Sequence, residues 1–179
     1  MPNLENAKVA ILATDGFEKS ELFEPKRQLE AAGAEVVIVS TDAAEIKSWD
    51  DGNWGDAIAV DKTLEAVQVE DIDALVLPGG QINPDILRTH DAAVAFVKKF
   101  FQSGKTLAAI CHAPWLLVEA NVLRGRDVTS YHSIKTDVMN AGANWHDKAV
   151  VTDAALVTSR HPGDLDAFCD KIIEEISEG

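Results

Sequence analysis

The sequence predicts an α/β fold, a three-layer α/β/α sandwich whose mostly parallel sheet is covered by helices on both faces. Apolar runs of strand length alternate with helical segments along the chain, and this alternation is typical of βαβ units with right-handed crossovers. The chain has 179 residues, 46% of them hydrophobic, which suffices for one well-buried core and is too little for two ordinary domains. We therefore expect a single domain over residues 1–179.

In the first half of the chain, continuous apolar runs predict strands that are buried on both faces; they cover residues 8–13, 35–40 and 73–77. A helix is predicted from about Pro25, whose fixed φ suits a first turn, to Ala32, with Gly33 as its stop. The segment 41–61 is acidic and less regular. We interpret it as an insertion that holds a short hairpin ending at residues 57–60.

The second half continues the alternation of helices and strands. The predicted elements are a helix over 91–102, a strand over 106–110, a helix over about 114–120, and strands over 127–130, 149–152 and 155–158. The last helix has the clearest pattern, because one apolar stripe recurs at helical spacing. Its members are Leu165, Phe168, Cys169, Ile172, Ile173 and Ile176.

Composition and charge exclude several classes of function. The chain carries 16 Lys and Arg against 30 Asp and Glu, a formal net charge of −14. Such a surface repels phosphate backbones, so no stable binding of nucleic acid is expected. The N-terminal segment lacks the pattern of a signal peptide, and no apolar run is long enough to span a membrane. We expect a cytoplasmic protein in which Cys111 and Cys169 are free thiols.

Three segments are candidates for chemistry because ligands of open α/β sheets bind beyond the carboxyl ends of the strands. They are residues 15–21, 78–80 and 111–112. Cys111 gives the strongest signal, since it stands between a strand and a helix in the layout of a nucleophile elbow. The helix N-terminus favours a thiolate and supplies an oxyanion hole, so we expect a lowered thiol pKa.

Each candidate also has a structural interpretation. A free cysteine is usually a small buried hydrophobe, and we adopt that interpretation for Cys169, which lies on the apolar stripe of the last helix. Gly79 and Gly80 form a turn that lets the backbone approach a ligand. An isolated glutamate is usually a solvated charge, but Glu21 is placed to hydrogen-bond the thiol. Candidate bases are His112, His132 and His161.

Taken together, these motifs closely resemble the intracellular protease I (PfpI-like) type within the superfamily of the parkinsonism-associated deglycase, which shares its flavodoxin-like fold with class I glutamine amidotransferases. The resemblance covers residues 15–22, 77–80, 109–114, 140–143 and 157–164. It implies that Cys111 is the nucleophile, that Glu21 is a protonated acid bonded to the thiolate, and that the amides of Gly80 and His112 form the oxyanion hole. His112 also matches the family's proposed catalytic histidine.

The resemblance implies further residues and two departures. A carboxylate from a neighbouring subunit orients the histidine in the family's proposal, and here the residue after Pro84 is Asp85 instead of Glu. Gly79, His132, Arg160 and His161 are accessory candidates. The elbow carries Ala113 where glycine is usual, and we expect the added methyl group to narrow the pocket. Homodimers or higher homo-oligomers are implied, so the active site is expected to be shared.

By resemblance, the function is that of a cysteine-dependent, stress-protective hydrolase of the glyoxalase or deglycase type, acting on methylglyoxal, glyoxal or early glycation adducts of proteins or nucleotides. Two alternatives stay open: an intracellular cysteine peptidase, and a non-enzymatic redox-sensing or chaperone-like stress protein. An amidotransferase is disfavoured because Gly163 replaces the usual acid two residues beyond His161. We expect no cofactor, and no metal either, since the histidines lack ligand spacing.

Overall fold

The computed structural model describes residues 2–42 and 44–179. Residue 43, within the predicted insertion, and residue 1 lie outside the described part. The helices and strands, in chain order, are β1 (Lys8–Leu12), β2 (Phe17–Glu18), α1 (Lys19–Ala31), β3 (Glu35–Ser40), β4 (Glu45–Asp50), β5 (Asn53–Ala59), β6 (Lys62–Thr63), β7 (Ala74–Leu77), α2 (Ile82–Leu87), α3 (Asp91–Gln102), β8 (Thr106–Ile110), α4 (Pro114–Glu119), β9 (Asp127–Val128), α5 (Lys135–Asn140), β10 (Asn144–Trp145), β11 (Val150–Asp153), β12 (Leu156–Ser159) and α6 (Leu165–Glu178).

A seven-stranded sheet with the order β11-β12-β8-β7-β1-β3-β6 forms the centre of the fold. Every neighbouring pair is parallel except β11 with β12 at one edge. The five main parallel strands stand as β3-β1-β7-β8-β12, which is the order of flavodoxin-like sheets. The strand order reverses between β1 and β7. This switch point is where ligands bind in such folds, and the α/β prediction with a mostly parallel sheet is confirmed.

The sheet carries a hydrophobic core on each face, which explains why its strands are apolar throughout. Along β1, Val9 and Ile11 belong to one core, whereas Ala10 and Leu12 belong to the other. Successive side chains of a strand point to opposite faces, so a strand covered on both sides has no polar face. Helices α1 and α6 cover one face, and α3 and α4 the other.

The first helix differs from the prediction. It begins at Lys19, directly after β2, and Pro25 lies in its interior instead of its first turn. Proline has no N–H to donate to the carbonyl four residues earlier, which here belongs to Glu21. The early start has a functional consequence, because it places the buried Glu21 in the first turn of α1.

The insertion is more regular than the sequence indicates. Strands β4 and β5 form a hairpin and, with β2, a separate three-stranded sheet. The hairpin ends at Ala59, within the predicted stretch, and turns at Asp51 and Gly52, whose φ values are 48° and 79°. Positive φ at both central residues is typical of a type I′ turn. Trp49 and Trp54 pack edge to face across the hairpin at 5.3 Å.

Other boundaries shift by small amounts. The strand predicted over 127–130 is only β9, which pairs with β10 outside the main sheet. The last two strands begin and end one residue later than predicted, at β11 and β12, and the first ends one residue earlier, at Leu12. Helix α2 has no counterpart among the sequence-based predictions.

Over residues 2–42 and 44–179, no helix combines the length and apolar character needed to cross a membrane.

Candidate active site

Cys111 lies on a sharp turn between β8 and α4, in a conformation that is unusual for a residue with a side chain. Its φ is 65°, a left-handed value that costs about 1–2 kcal/mol outside glycine. Both of its backbone polar groups are held: its N–H donates to the Ser159 carbonyl at 3.1 Å, and its carbonyl accepts from the Tyr131 N–H at 2.8 Å. The geometry is that of a nucleophile elbow. The side chain is only 6% exposed.

The amides of Gly80 and His112 lie next to the sulfur of Cys111, where they lower the pKa of its thiol. Gly80 follows β7 with a φ of +81°, and a Cβ at this position would lie 2.5 Å from the Gly16 carbonyl oxygen. Only glycine therefore fits at this position against the backbone of the segment that follows β1. Two converging N–H groups beside a nucleophile are the components of an oxyanion hole.

The carboxyl group of Glu21 is completely buried next to Cys111. Its Oε1 accepts a hydrogen bond from the Gly79 amide at 3.0 Å, and the nearby Cys111 thiol and Gly80 amide lower its pKa. Its Oε2 has no hydrogen-bond partner among the described residues. Burial first, and then the charge of Glu18, raise the pKa of Glu21 to about 8. Near pH 7 this side chain is thus mostly a neutral acid that has a proton to donate.

The ionisation of Cys111 differs from the sequence-based expectation. Burial and the Glu21 carboxylate raise the pKa of the thiol, whereas the amides of Gly80 and His112 lower it. The helix terminus alone is therefore insufficient to produce a thiolate in this buried place. When Glu21 is protonated, the repulsive charge disappears and the acid becomes a donor to sulfur. The two groups consequently titrate as a coupled pair.

A raised carboxyl pKa has a measurable effect on stability. The folded chain holds the Glu21 proton up to a pKa of about 8, and the unfolded chain releases it near 4.5. Between these values the native state binds more protons, so the free energy of unfolding falls as pH rises, by as much as about 5 kcal/mol. Glu21→Gln is expected to remove this loss, which urea unfolding at pH 5 and pH 8 measures.

The matched control for this measurement is Glu30→Gln on the exposed side of the same helix. It should leave the pH dependence of the wild type unchanged. If Glu21→Gln leaves that dependence unchanged as well, Glu21 is not a buried neutral acid.

His112 contacts both the thiol and a serine. Its Nδ1 lies 3.2 Å from the Cys111 sulfur and its Nε2 lies 3.1 Å from Ser133 Oγ, and its ring stacks on Tyr131 at 4.7 Å. Burial and nearby His132 lower the pKa of His112, so the ring is neutral near pH 7 and can accept a proton. Sequence reasoning missed Ser133, although its place directly after His132 was a usable signal.

The other predicted site residues lie further from the sulfur. Asp85 is exposed on α2, and within the described residues it makes no hydrogen bond to His112. His132 is exposed and contacts Tyr131, the ring that stacks on His112. Its effect on the site is therefore electrostatic, since it lowers the pKa of His112.

Arg160 and His161, which follow β12, are held in structural contacts. The Arg160 guanidinium donates to Asp164 at 2.9 and 3.0 Å and to Asp147 at 2.8 Å. His161 Nδ1 accepts from the Gly163 amide at 3.1 Å, which caps the turn before α6. These bonds fix the loop beside the elbow.

Two neighbours of the elbow belong to the hydrophobic core. Ala113 is fully buried in the core on the α3 and α4 face, so the prediction that its methyl group narrows the substrate pocket is wrong. Cys169 is fully buried in the opposite core with Leu165 and Phe168, as expected for a small hydrophobe.

The large clefts of the surface lie elsewhere. One of about 950 Å³ is lined by residues of α1 and α6, such as Gln28 and Ile173. Another, of about 750 Å³, lies near Asp73 and Lys105, before the amino ends of the strands. Neither is lined by Cys111. Over residues 2–42 and 44–179, no group of three or more His, Cys, Asp or Glu side chains is arranged to hold a metal ion.

Known sequences include relatives that match this chain over most of their length. Deglycase TK1284 of Thermococcus kodakarensis is 44% identical over 167 residues, which cover 93% of this chain and 98% of the relative. YraA of Bacillus subtilis, named as a proposed cysteine protease, is 42% identical over 161 residues, covering 90% of this chain and 93% of YraA.

Comparison with solved structures leads to the same group. A two-domain protein from Anabaena variabilis, described as containing DJ-1/ThiJ/PfpI-like and ferritin-like domains, superposes with a TM-score of 0.89 at 37% identity. The match covers 94% of this chain and 48% of that protein. The sequence model of the DJ-1/PfpI family matches residues 7–175. The chain therefore belongs to the DJ-1/PfpI family.

Proposed function

We propose that this protein is a cysteine-dependent glyoxalase or deglycase that acts on methylglyoxal, glyoxal or their early glycation adducts. The observation that carries the proposal is the set of groups around the Cys111 sulfur: two converging amides and a buried carboxyl group. The likeness to Deglycase TK1284 supports it. The low exposure of Cys111, 6%, favours a small carbonyl compound over a bulky substrate.

The first chemical step is attack of the thiolate on the aldehyde carbon. His112 Nδ1, 3.2 Å from the sulfur, takes the thiol proton, and the ring can donate from Nε2 to Ser133. A C–S bond forms, and the carbonyl electron pair becomes an oxyanion that accepts hydrogen bonds from the Gly80 and His112 amides. Protonation of that oxygen gives a hemithioacetal on Cys111.

The second stage moves a proton and releases the product. A proton leaves the former aldehyde carbon and another is added to the neighbouring carbon, which turns the hemithioacetal into a thioester. His112 or Glu21 is the relay. Water then cleaves the thioester C–S bond, which releases lactate from methylglyoxal or glycolate from glyoxal and restores the thiol. For a glycation adduct, the amine or thiol of the modified molecule is the leaving group.

A neighbouring subunit completes the proposed site. Asp85 is exposed on α2, where a second copy of the chain can bring it to His112. A carboxylate there would orient the neutral ring and stabilise its charged form after proton transfer. We therefore propose a homodimer or larger homo-oligomer as the active form.

A peptidase is the second candidate, and the likeness to YraA favours it. The same thiolate and oxyanion hole can attack a peptide carbonyl and form an acyl-enzyme. A peptide must place a backbone segment next to the sulfur, however, and the burial of Cys111 in the chain opposes such access.

The test incubates purified protein with methylglyoxal or with its adduct on N-acetylcysteine, and measures lactate and free thiol. Lactate is expected from methylglyoxal. If the rate at which the adduct disappears keeps rising in proportion to the enzyme concentration, deglycase activity is assigned. A rate limited by spontaneous release of methylglyoxal assigns glyoxalase activity. Cleavage of casein without lactate, or oxidation of Cys111 without any turnover, would overturn the proposal in favour of the peptidase or the redox sensor.

A further inference from the structure

Asn83, in the first turn of α2, is completely buried and uses its whole side-chain amide. Its Oδ1 accepts from the Thr14 N–H at 2.7 Å, just beyond the end of β1. Its Nδ2 donates to the carbonyl oxygens of Pro78 and Gly79, at 3.0 and 3.2 Å, just beyond the end of β7. This side chain thus ties together the two strands at the switch point of the sheet.

The two carbonyls bound by Asn83 belong to the peptide units that form the active site. A peptide unit is planar and trans, so its C=O and N–H point in opposite directions as one rigid body. The unit with the Pro78 carbonyl carries the Gly79 N–H, which donates to Glu21 Oε1. The unit with the Gly79 carbonyl carries the Gly80 N–H, which lies next to the Cys111 sulfur and lowers the pKa of the thiol. Asn83 therefore binds both peptide units at their carbonyl oxygens, on the side opposite to their N–H groups.

These peptide units need an external restraint. Two successive glycines have more conformational freedom than any other pair of residues, and larger residues do not fit. A Cβ at Gly79 would lie 2.5 Å from Glu21 Oε1 and 2.6 Å from Cys111 Cβ. A larger side chain therefore cannot restrict the turn on the side that faces Glu21 and Cys111. Besides the Asn83 side chain, the Gly79 carbonyl accepts one backbone hydrogen bond among the described residues, from the Glu18 N–H at 3.3 Å.

We infer that Asn83 is a positioning residue, which aims the Gly79 amide at Glu21 and the Gly80 amide at the Cys111 sulfur by holding their peptide units from behind. The inference rests on the proposed role of Cys111 as nucleophile. Leucine has nearly the same shape as asparagine but neither a donor nor an acceptor. Asn83→Leu should therefore release both peptide units without opening a cavity.

The test measures the pH dependence of iodoacetamide alkylation of Cys111, with kcat and KM for methylglyoxal. In Asn83→Leu the alkylation midpoint is expected to rise by about one pH unit, because the thiolate loses aligned donors. The kcat should fall about 100-fold, the lower end of the effect of losing an oxyanion-hole donor, with KM within about threefold. A folded variant with the wild-type midpoint and kcat would overturn the inference.

The matched control is Asp73→Ala, at the opposite end of the same two strands. Asp73 Oδ2 accepts from the Lys8 N–H at 2.8 Å, so it ties β1 to β7 without touching the site. Asp73→Ala is expected to lower stability but to leave the alkylation midpoint and the kcat unchanged. If the wild type turns over no dicarbonyl, the proposed function fails, while the alkylation midpoint still decides the role of Asn83.

A further measurement applies if Asn83→Leu does not fold. In the wild type, both Nδ2 protons of Asn83 are hydrogen-bonded and shielded from solvent. They should exchange slowly with deuterated water. Fast exchange would overturn the inference without any variant.

Discussion

Replacing Cys111 by alanine is expected to reduce lactate formation from methylglyoxal to the uncatalysed rate, a loss of more than about 10³-fold. In the proposed mechanism Glu21 and His112 act on the thiol and do not attack the carbonyl themselves, so neither replaces the sulfur. The variant should also lose the alkylation of residue 111 by iodoacetamide. Lactate formation and alkylation, measured on one preparation, check both expectations.

Cys169→Ala is the matched control, since it removes the other thiol of the chain. Cys169 is fully buried in the core beneath α6. Its removal should lower stability by about 1 kcal/mol through lost packing and leave kcat within about twofold. If Cys111→Ala retains activity, or Cys169→Ala loses it at full folding, the assignment of the nucleophile is wrong.

Replacing Gly79 by alanine is expected to destabilise the folded protein through steric overlap. The new methyl group would lie 2.5 Å from Glu21 Oε1 and 2.6 Å from both Cys111 Cβ and the Ile110 carbonyl oxygen. All three neighbours are buried and none is the end of a flexible exposed chain. Relief of the overlap must move the backbone, at a cost of about 3 kcal/mol. Urea unfolding measures the loss, and kcat should fall with it.

The comparison for Gly79→Ala is Gly104→Ala, between α3 and β8. Gly104 has a φ of +76° and no neighbouring atom within 4 Å of an added Cβ. Its substitution should cost only the left-handed strain of alanine, about 1–2 kcal/mol. Equal losses for the two variants would contradict the close approach of Gly79 to the catalytic groups.

The sequence predicts the sheet and the elbow because both depend on local patterns. Continuous apolar strands and a cysteine between strand and helix are visible without tertiary information, and the structure places Cys111 at a φ of 65°. The helix boundary at Pro25 is predicted wrongly, because proline is treated as a start although tertiary packing tolerates it inside α1. The role of Ala113 fails for the same reason, since the direction of a side chain depends on the packing of α4.

The pKa of Cys111 and the contacts of Asn83 required the folded structure. A helix N-terminus is a local feature and predicts a lower thiol pKa, but desolvation is set by residues that are distant in sequence and acts in the opposite direction. Asn83 bonds Thr14, which lies 69 positions away. No spacing rule connects these two residues, so only the strand order brings them together.

The strand order also determines when the groups around the thiol come together. The groups around Cys111 come from segments after β1, β7, β8 and β9, and they meet only when the parallel strands have paired across long loops. Such non-local contacts form late in folding. A nascent or partly unfolded chain therefore carries Cys111 as an ordinary thiol with a pKa near ~8.5. An unfolded chain thus exposes Cys111 to adventitious modification, which burial of the residue in the folded chain opposes.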